Sequence, residues 1–151
     1  MAIDDVNSII RTYLTTASPA TNPLIALIGA QIYCPRLPEK IKLVAAGVST
    51  PAISFFSRGG FSNPHIPPIV TPSVQFDCWA TDSVLEAGAI TARKVYRALY
   101  DALQGIQDVT VGAFKILSAI EEVQGQDLVD SEIPNYFRVL TFFSIMIRAG
   151  L

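Results

Sequence analysis

The spacing of apolar residues predicts two short helices near the N terminus. Five apolar residues repeat at helical spacing and share one face: Val6, Ile9, Ile10, Tyr13 and Leu14. Pro19 keeps the residue before it out of helical backbone, so this helix should end near residue 17. Asn22 and Pro23 are typical of a helix start, and Gly29 is typical of a stop. A second helix is therefore predicted over residues 24–28.

Alternating and β-branched segments predict five strands, which cover residues 31–34, 52–57, 73–80, 110–123 and 137–148. The clearest is 73–80, where apolar and mostly polar positions alternate and one face should be buried. Gly112 is a candidate bulge in the fourth strand. Residues 125–135 are polar and acidic, which is typical of a connection.

A longer helix is predicted between residue 83 and residue 104. Ser83 and Glu86 match the capping box at its start, and Gly105 is a stop signal. Its apolar stripe consists of Leu85, Ala89, Ala92, Val95, Tyr96, Leu99 and Leu103. At about 1.5 Å per residue it would extend for about 30 Å, enough to cover one face of a small sheet.

Glycine and proline interrupt the chain repeatedly between residues 57 and 72. Such a stretch excludes a helix and an interior strand, and predicts a long loop. Phe61, Ile66 and Ile69 argue against simple disorder. The segment is therefore predicted to be a proline-stiffened arm that docks on a neighbouring protein.

This order of elements predicts an α+β fold: a single domain, over residues 1–151, in which an antiparallel sheet packs against one long and two shorter helices. The last strand is apolar on both sides. One side carries Phe137, Val139, Phe143, Ile145 and Ile147, and the other carries Leu140, Phe142 and Met146. One face of an antiparallel sheet normally meets water, so the second side needs a helix or another subunit to cover it.

The composition points to burial against other protein molecules. Half of the 151 residues are hydrophobic, the mean hydropathy is +0.40, and only 16% are charged, against about 25% in a typical soluble domain. This balance excludes intrinsic disorder, and a net charge of −2 argues against nucleic-acid binding. The excess of apolar residues is typical of chains that form obligate oligomers.

A membrane location is not predicted. The most apolar stretch, residues 139–147, is shorter than the about 20 residues of a spanning helix, and Thr141 and Ser144 interrupt it. Asp4 and Asp5 stand where a signal peptide carries basic residues. We expect the chain to be made in the cytosol.

No residue pattern predicts catalysis, a cofactor or a metal, so we expect the protein not to be an enzyme. Cys34 and Cys78 fit neither a disulfide framework nor a zinc site, and are expected to be small buried hydrophobes. His65, the only histidine, has no cysteine or acid nearby in the sequence. A deep pocket that gathered His65, Cys78 and an acid would instead favour small-molecule binding or catalysis.

Three weaker patterns have simpler explanations. Asp127, Asp130 and Glu132 lack the spacing of a calcium loop and are interpreted as a solvated acidic turn. Residues 47–51 lack the lysine of a phosphate loop and the outer glycine of a nucleophile elbow. Residues 58–61 form a single RGG-type unit, which a turn with one exposed arginine explains equally well.

Five features follow one another along nearly the whole chain. They are an amphipathic helix before Pro19, residues 31–35, the strand 74–80 with Trp79, an alanine-rich helix with Ala92 and Leu99, and a closing strand around residues 136–139. This order resembles the tail-completion and tail-terminator proteins of long-tailed bacteriophages, in particular the tail-to-head joining family. The segment 57–72 is longer than that family leads us to expect, which leaves open the neck partner that it addresses.

The resemblance implies a structural virion protein that forms a ring, commonly a hexamer, at the head–tail neck. Such a ring caps the tail tube and joins it to the head connector. The implied partners are other copies of the chain, the tail tube protein and a head-completion, stopper or portal-side connector protein, with DNA only passing through the lumen. Assembly would take place in the host cytoplasm. A head-completion or other neck ring protein is the alternative within the same class, and a small-molecule-binding domain is the alternative outside it.

Seven residues are predicted to contact other subunits or partners: Arg58, Phe61, His65, Ile66, Ile69, Phe142 and Met146. Those between Arg58 and Ile69 belong to the predicted arm. Phe142 and Met146 belong to the second face of the last strand. The alternative for these two is burial under the long helix of the same chain.

Overall fold

The computed structural model describes residues 5–39, 41–129 and 136–149. Within them the chain has an α+β fold, as predicted. The helices are α1 (Val6–Thr15), α2 (Asn22–Ile28) and α3 (Gly88–Leu103). The strands are β1 (Ile32–Tyr33), β2 (Val44–Ala45), β3 (Val48–Ser49), β4 (Ala52–Ser62), β5 (Ile69–Thr81), β6 (Gln107–Val111), β7 (Phe114–Val129) and β8 (Tyr136–Arg148).

The first two helices form where the apolar spacing predicts them. Asp5 caps α1 by accepting a hydrogen bond from the backbone N–H of Asn7 at 3.4 Å. The predicted apolar face of α1 is buried, and the Tyr13 hydroxyl donates to the carbonyl oxygen of Ala102 at 2.5 Å. Helix α2 begins with Pro23 in its first turn and ends at Gly29, whose φ is +58°. The local signals therefore place both helices correctly.

The main sheet has six strands in the order β1-β4-β5-β8-β7-β6, and β2 and β3 form a separate hairpin. The prediction of a purely antiparallel sheet is wrong, because β1 pairs with β4 in parallel. The other pairings in the main sheet are antiparallel. Residues 34–51 carry the chain from β1 back to the start of β4, which is the crossover that a parallel pair needs.

The predicted loop over residues 57–72 is mostly strand, and only residues 63–68 connect β4 to β5. Gly59 and Gly60 have φ values of +88° and +110°, and the register of the β4–β5 pair shifts between Ser57 and Gly60. Here the glycines form a bulge and β4 continues beyond it. Pro72 lies between two paired segments of β5 and β8, where it interrupts the ladder without ending the strand.

Helix α3 has 16 residues and is shorter than predicted. The expected capping box forms a separate turn, in which the Ser83 hydroxyl accepts from the backbone N–H of Glu86 at 3.2 Å. The helix begins at Gly88, whose N–H donates to Oδ1 of Asp82 at 2.8 Å. Gly88 packs so closely that a Cβ there would lie 2.6 Å from the ring of Phe137. The chain therefore enters the helix one turn later than the sequence pattern indicates.

The predicted strand over residues 110–123 is instead a hairpin of β6 and β7. Gly112, with a φ of +60°, lies in the turn between them and is not a bulge. Strand β7 continues through residues 125–129, which were expected to be a connection. Residues 130–135 lie outside the described residues. The last predicted strand is confirmed as β8.

The three helices cover one face of the main sheet. Phe55, Phe76 and Phe143 lie side by side on β4, β5 and β8, with ring centres 5.6 and 5.9 Å apart, and all three are fully buried. They belong to one hydrophobic cluster with the buried residues of all three helices. Of the described helices, none is long and apolar enough to cross a membrane.

One polar cluster interrupts this core beneath α3. The Glu121 carboxylate accepts from the Tyr96 hydroxyl at 2.7 Å and from the Thr141 hydroxyl at 2.8 Å. The Tyr96 oxygen accepts in turn from the backbone N–H of Gly125 at 3.1 Å. These bonds explain how Thr141 can occupy a fully buried position on the apolar side of β8.

Candidate interaction surfaces

The face of the main sheet opposite the helices carries the second apolar side of β8. Phe143 faces the helices, so Phe142 lies on the other side of the strand, and Met146 shares that side. Both side chains are half-buried. The structure thus places them opposite α3 and not beneath it.

Strand β7 adds two exposed apolar side chains to this face. Ile120 pairs with Ser144 and Val123 pairs with Phe142, and a register shift at Glu122 keeps both apolar side chains on the same side. Ile120 is 57% exposed. We call Ile120, Val123, Phe142 and Met146 the open-face patch. It forms an apolar surface that the described part of the chain covers only in part, at Phe142 and Met146.

A network of polar side chains on β4, β5 and β8 borders the open-face patch. Arg58 donates to Oε1 of Gln75 at 3.0 Å, and Nε2 of Gln75 donates to the carboxylate of Asp77 at 3.1 Å. Arg138 approaches the other oxygen of Asp77 at 3.4 Å. Asp77 is only 4% exposed. Its charge is therefore held in a nearly dry position by partners on both sides.

Both arginines of this polar network also cover an aromatic ring. The guanidinium of Arg58 lies 5.4 Å from the ring centre of Phe142, and that of Arg138 lies 5.2 Å from the ring centre of Trp79. The indole N–H of Trp79 donates to the Ser54 hydroxyl at 2.9 Å. The two guanidinium groups thus cover part of the aromatic surface and also bind polar partners.

Burial raises the pKa of Asp77 above its ordinary value of 3.8, although the hydrogen bond from Gln75 and the charge of Arg138 lower it. The folded protein therefore binds this proton more tightly than the unfolded chain does. The resulting stabilisation is complete below pH 3.8 and is lost as the pH rises through the raised pKa.

We accordingly expect Asp77→Asn to change the pH dependence of stability. As the pH rises through this window, the free energy of unfolding of the wild type should fall relative to that of the variant. One titrating group limits this relative change to about 1.4 kcal/mol per pH unit. Urea unfolding of both proteins at a series of pH values, at low protein concentration, measures it. A constant difference would show that the hydrogen bond from Gln75 and the charge of Arg138 offset burial, and a difference that grows in the opposite sense would show that they outweigh it.

The β4–β5 hairpin ends in a second exposed surface, residues 58–70, which we call the hairpin tip. Phe61 is 68% exposed and Ile66 is 48% exposed. The loop is held by Asn63, whose Oδ1 accepts from the backbone N–H groups of His65 and Ile66 at 2.9 and 3.2 Å. Ile69 is half-buried and pairs with Arg148 on β8. Phe61 and Ile66 are thus presented by an ordered hairpin.

A third apolar surface lies at the opposite end of the same hairpin. It consists of Leu27 on α2, Val48 on β3, and Val84 and Leu85 in the turn before α3, and we call it the base patch. Leu27, Val48 and Leu85 line one groove of about 280 Å³. The sequence pattern does not predict this surface, because Val84 and Leu85 fall within the helix predicted between residues 83 and 104. Gly88 carried the only local signal that this helix begins later.

The residues considered for chemistry are not brought together. Cys78 is fully buried in the core, where burial raises the pKa of its thiol, whereas His65 is exposed at the hairpin tip. The expected burial of Cys34 is wrong, because this residue is exposed. Asp127 forms an ion pair with Arg93 at 2.7 Å. Asp130 and Glu132 lie outside the described residues, and the prediction of an acidic turn is wrong at Asp127, which lies in β7 and pairs with Val139.

The chain was also compared with known proteins. No protein-family model matches it, and no curated protein matches it.

Proposed function

We propose that this chain is the subunit of a closed ring at the head–tail neck of a long-tailed bacteriophage, where it caps the tail tube and joins the tail to the head connector. One observation carries the proposal. Eight exposed large apolar side chains are grouped in the open-face patch, the hairpin tip and the base patch, rather than scattered singly over the described surface. A single copy has no described element left to cover these surfaces, so other protein molecules must do so.

The distribution of the three surfaces supports a ring rather than a symmetric dimer. The base patch lies at the opposite end of the β4–β5 hairpin from the hairpin tip, so a contact between two copies can join unlike surfaces. Such head-to-tail contacts give a ring when the rotation between copies closes, and an open filament when it does not. A closed ring has two different ends. One end can bind the last layer of the tail tube, while the other offers no surface for a further layer.

The order of elements supports the assignment to the neck. The amphipathic α1, the strand β5 with Trp79, the helix α3 and the closing strand β8 follow one another as in tail-terminator and tail-to-head joining proteins. By this analogy we propose six copies per ring, with the tail tube protein on one end and a connector protein on the other. DNA passes through the lumen without specific contacts.

Native mass spectrometry and negative-stain electron microscopy of the purified protein test the proposal. We expect one discrete oligomer that appears as a ring in end-on views. When it is mixed with tail tubes of the same phage, the ring should bind at tube ends only. A protein that stays monomeric at high concentration and ignores tube ends would refute the proposal. Binding to portal-bearing heads before tails would identify a head-completion protein instead.

A further inference from the structure

The acid of the polar network is nearly dry although it lies on the face of the main sheet opposite the helices. Phe76 and Cys78, its neighbours along β5, are fully buried in the core, so the alternation of the strand places Asp77 on the other side. Yet Asp77 is only 4% exposed. Gln75 and Arg138 bind its two carboxylate oxygens. Side chains of the sheet itself therefore form the cover that keeps water from this acid.

Asp77 holds Arg138 over the ring of Trp79. Nη1 of Arg138 lies 3.4 Å from Oδ1 of Asp77, and its guanidinium carbon lies 5.2 Å from the ring centre of Trp79. The indole is fixed in turn, because its N–H donates to the Ser54 hydroxyl at 2.9 Å. The Arg138 side chain is 35% exposed, so water can solvate the guanidinium once the carboxylate no longer binds it.

The second arginine is linked to the same acid through Gln75. The amide nitrogen of Gln75 donates to Oδ2 of Asp77 at 3.1 Å, and its Oε1 accepts from Arg58 at 3.0 Å. This orientation of the amide suits an ionised carboxylate, which only accepts hydrogen bonds. A protonated carboxyl group can donate its hydrogen to Gln75 only if the amide turns and gives up Arg58. The protonation of Asp77 therefore changes the hydrogen bonds of both arginines.

The charged groups around Asp77 favour its ionised form, and burial opposes them. Arg58 faces the network from β4, and Arg138 faces it from β8. On the other side of the sheet lie the Cys78 thiol and the buried residues of α3, which are all uncharged. Burial nevertheless raises the pKa of Asp77 above 3.8. The folded protein can therefore take up this proton above pH 3.8.

We propose that Asp77 is a proton-sensitive switch that sets how much of two aromatic rings, Trp79 and Phe142, the subunit exposes. With Asp77 ionised, Arg138 and Arg58 are held over the rings. With Asp77 protonated, Arg138 leaves Trp79, and the amide between the acid and Arg58 turns and releases that arginine as well. Asp77 is a positioning residue, since it acts on the rings through the arginines. The inference goes beyond the proposed function and does not depend on a ring, because the whole switch lies within one subunit.

The fluorescence of Trp79 tests the switch directly, because Trp79 is the only tryptophan in the sequence. Quenching of this fluorescence by acrylamide measures how accessible the indole is. In the wild type at low protein concentration, quenching should increase as the pH falls, with a midpoint above pH 3.8. Circular dichroism at each pH value identifies the range in which the fold is retained. Quenching that stays constant over this range overturns the proposal.

Two variants should remove the pH response. Asp77→Asn keeps the size of the side chain and takes up no proton, so its indole should be quenched at neutral pH as strongly as that of the wild type in acid. Arg138→Gln removes the cover itself and should give the same result. Its side chain is partly exposed, so this variant remains a test even if Asp77→Asn folds poorly. A step of unchanged size in either variant contradicts the proposal.

Glu39→Gln is the matched control. Glu39 and Arg36 line a groove of about 340 Å³ together with Trp79, so this carboxylate is close enough to affect the indole without the polar network. The variant should retain the pH response of the wild type. Loss of the response would show that the groove acid titrates instead of Asp77, and the switch would be assigned to the wrong residue.

NMR signals of the arginine side chains test the link through Gln75. The guanidinium signals of Arg58 and Arg138 should both shift with the midpoint found by fluorescence, and neither should shift in Asp77→Asn. If the signal of Arg58 is independent of pH while that of Arg138 shifts, the link through Gln75 is refuted and Phe142 is not part of the switch.

Discussion

Phe143→Ala is expected to destabilise the folded subunit by about 3–5 kcal/mol. The side chain is fully buried and lies edge-to-face against Phe76, with ring centres 5.9 Å apart. Its removal leaves a cavity at the centre of the sheet, where the surrounding strands cannot collapse freely. For a chain of this size the melting temperature should fall by about 6–20 °C. The measurement belongs at low protein concentration, because assembly would add stability of its own.

Phe142→Ala is the matched control, since it removes the same side chain from the neighbouring position. Phe142 lies on the opposite face of β8 and is only half-buried, against the guanidinium of Arg58. We expect a loss of about 1 kcal/mol in the subunit and a clear shift of the oligomer towards monomers. Equal losses of stability at the two positions would contradict the assignment of the two faces.

The faces of β8 could be predicted from the sequence because strand periodicity is fixed at two residues. Phe143, Ile145 and Ile147 alternate with Phe142 and Met146, so any register of this strand separates the two sets. The sequence could not tell which set the helices cover. That depends on the path of the chain between strands, which no local pattern encodes.

The base patch could not be predicted from the sequence for a different reason. Ser83 and Glu86 satisfy the capping-box pattern, and the same two residues also satisfy a closed turn. Packing decides between the two, because Gly88 must approach Phe137 closely where α3 meets the sheet. The helix starts at that contact, and Val84 and Leu85 are left in front of it. A contact between distant parts of the chain therefore overrides a strong local signal.

The hairpin tip shows that glycine and proline, too, do not determine the local structure by themselves. Both residues are typical of loops, and between residues 57 and 72 their density predicted one. In the folded chain Gly60 pairs with Pro72 across the two strands. Because they pair with the partner strand, residues that would otherwise end a strand instead form a bulge within a long hairpin.

Gly60→Ala should disrupt the end of this hairpin and abolish assembly. A Cβ at this position would lie 2.1 Å from the carbonyl oxygen of Thr71 and 2.7 Å from Cα of Pro72. Both are backbone atoms of the paired strand, so the clash can be relieved only if β4 and β5 separate. Residue 60 also has a φ of +110°, which side chains disfavour. Hydrogen exchange should therefore show loss of protection between residue 60 and residue 70, together with a shift of the native mass to monomers.

Gly59→Ala separates the clash from the backbone strain. Gly59 also has a left-handed φ, of +88°, but a Cβ there would meet no atom within 4 Å. Its replacement should cost only about 1–2 kcal/mol of local strain and leave the hairpin tip formed. We expect this variant to keep its oligomer, because Phe61 would still be presented to other subunits. If the two variants lose protection and assembly equally, backbone strain alone is responsible, and the close crossing of β4 and β5 at Gly60 does not shape the tip.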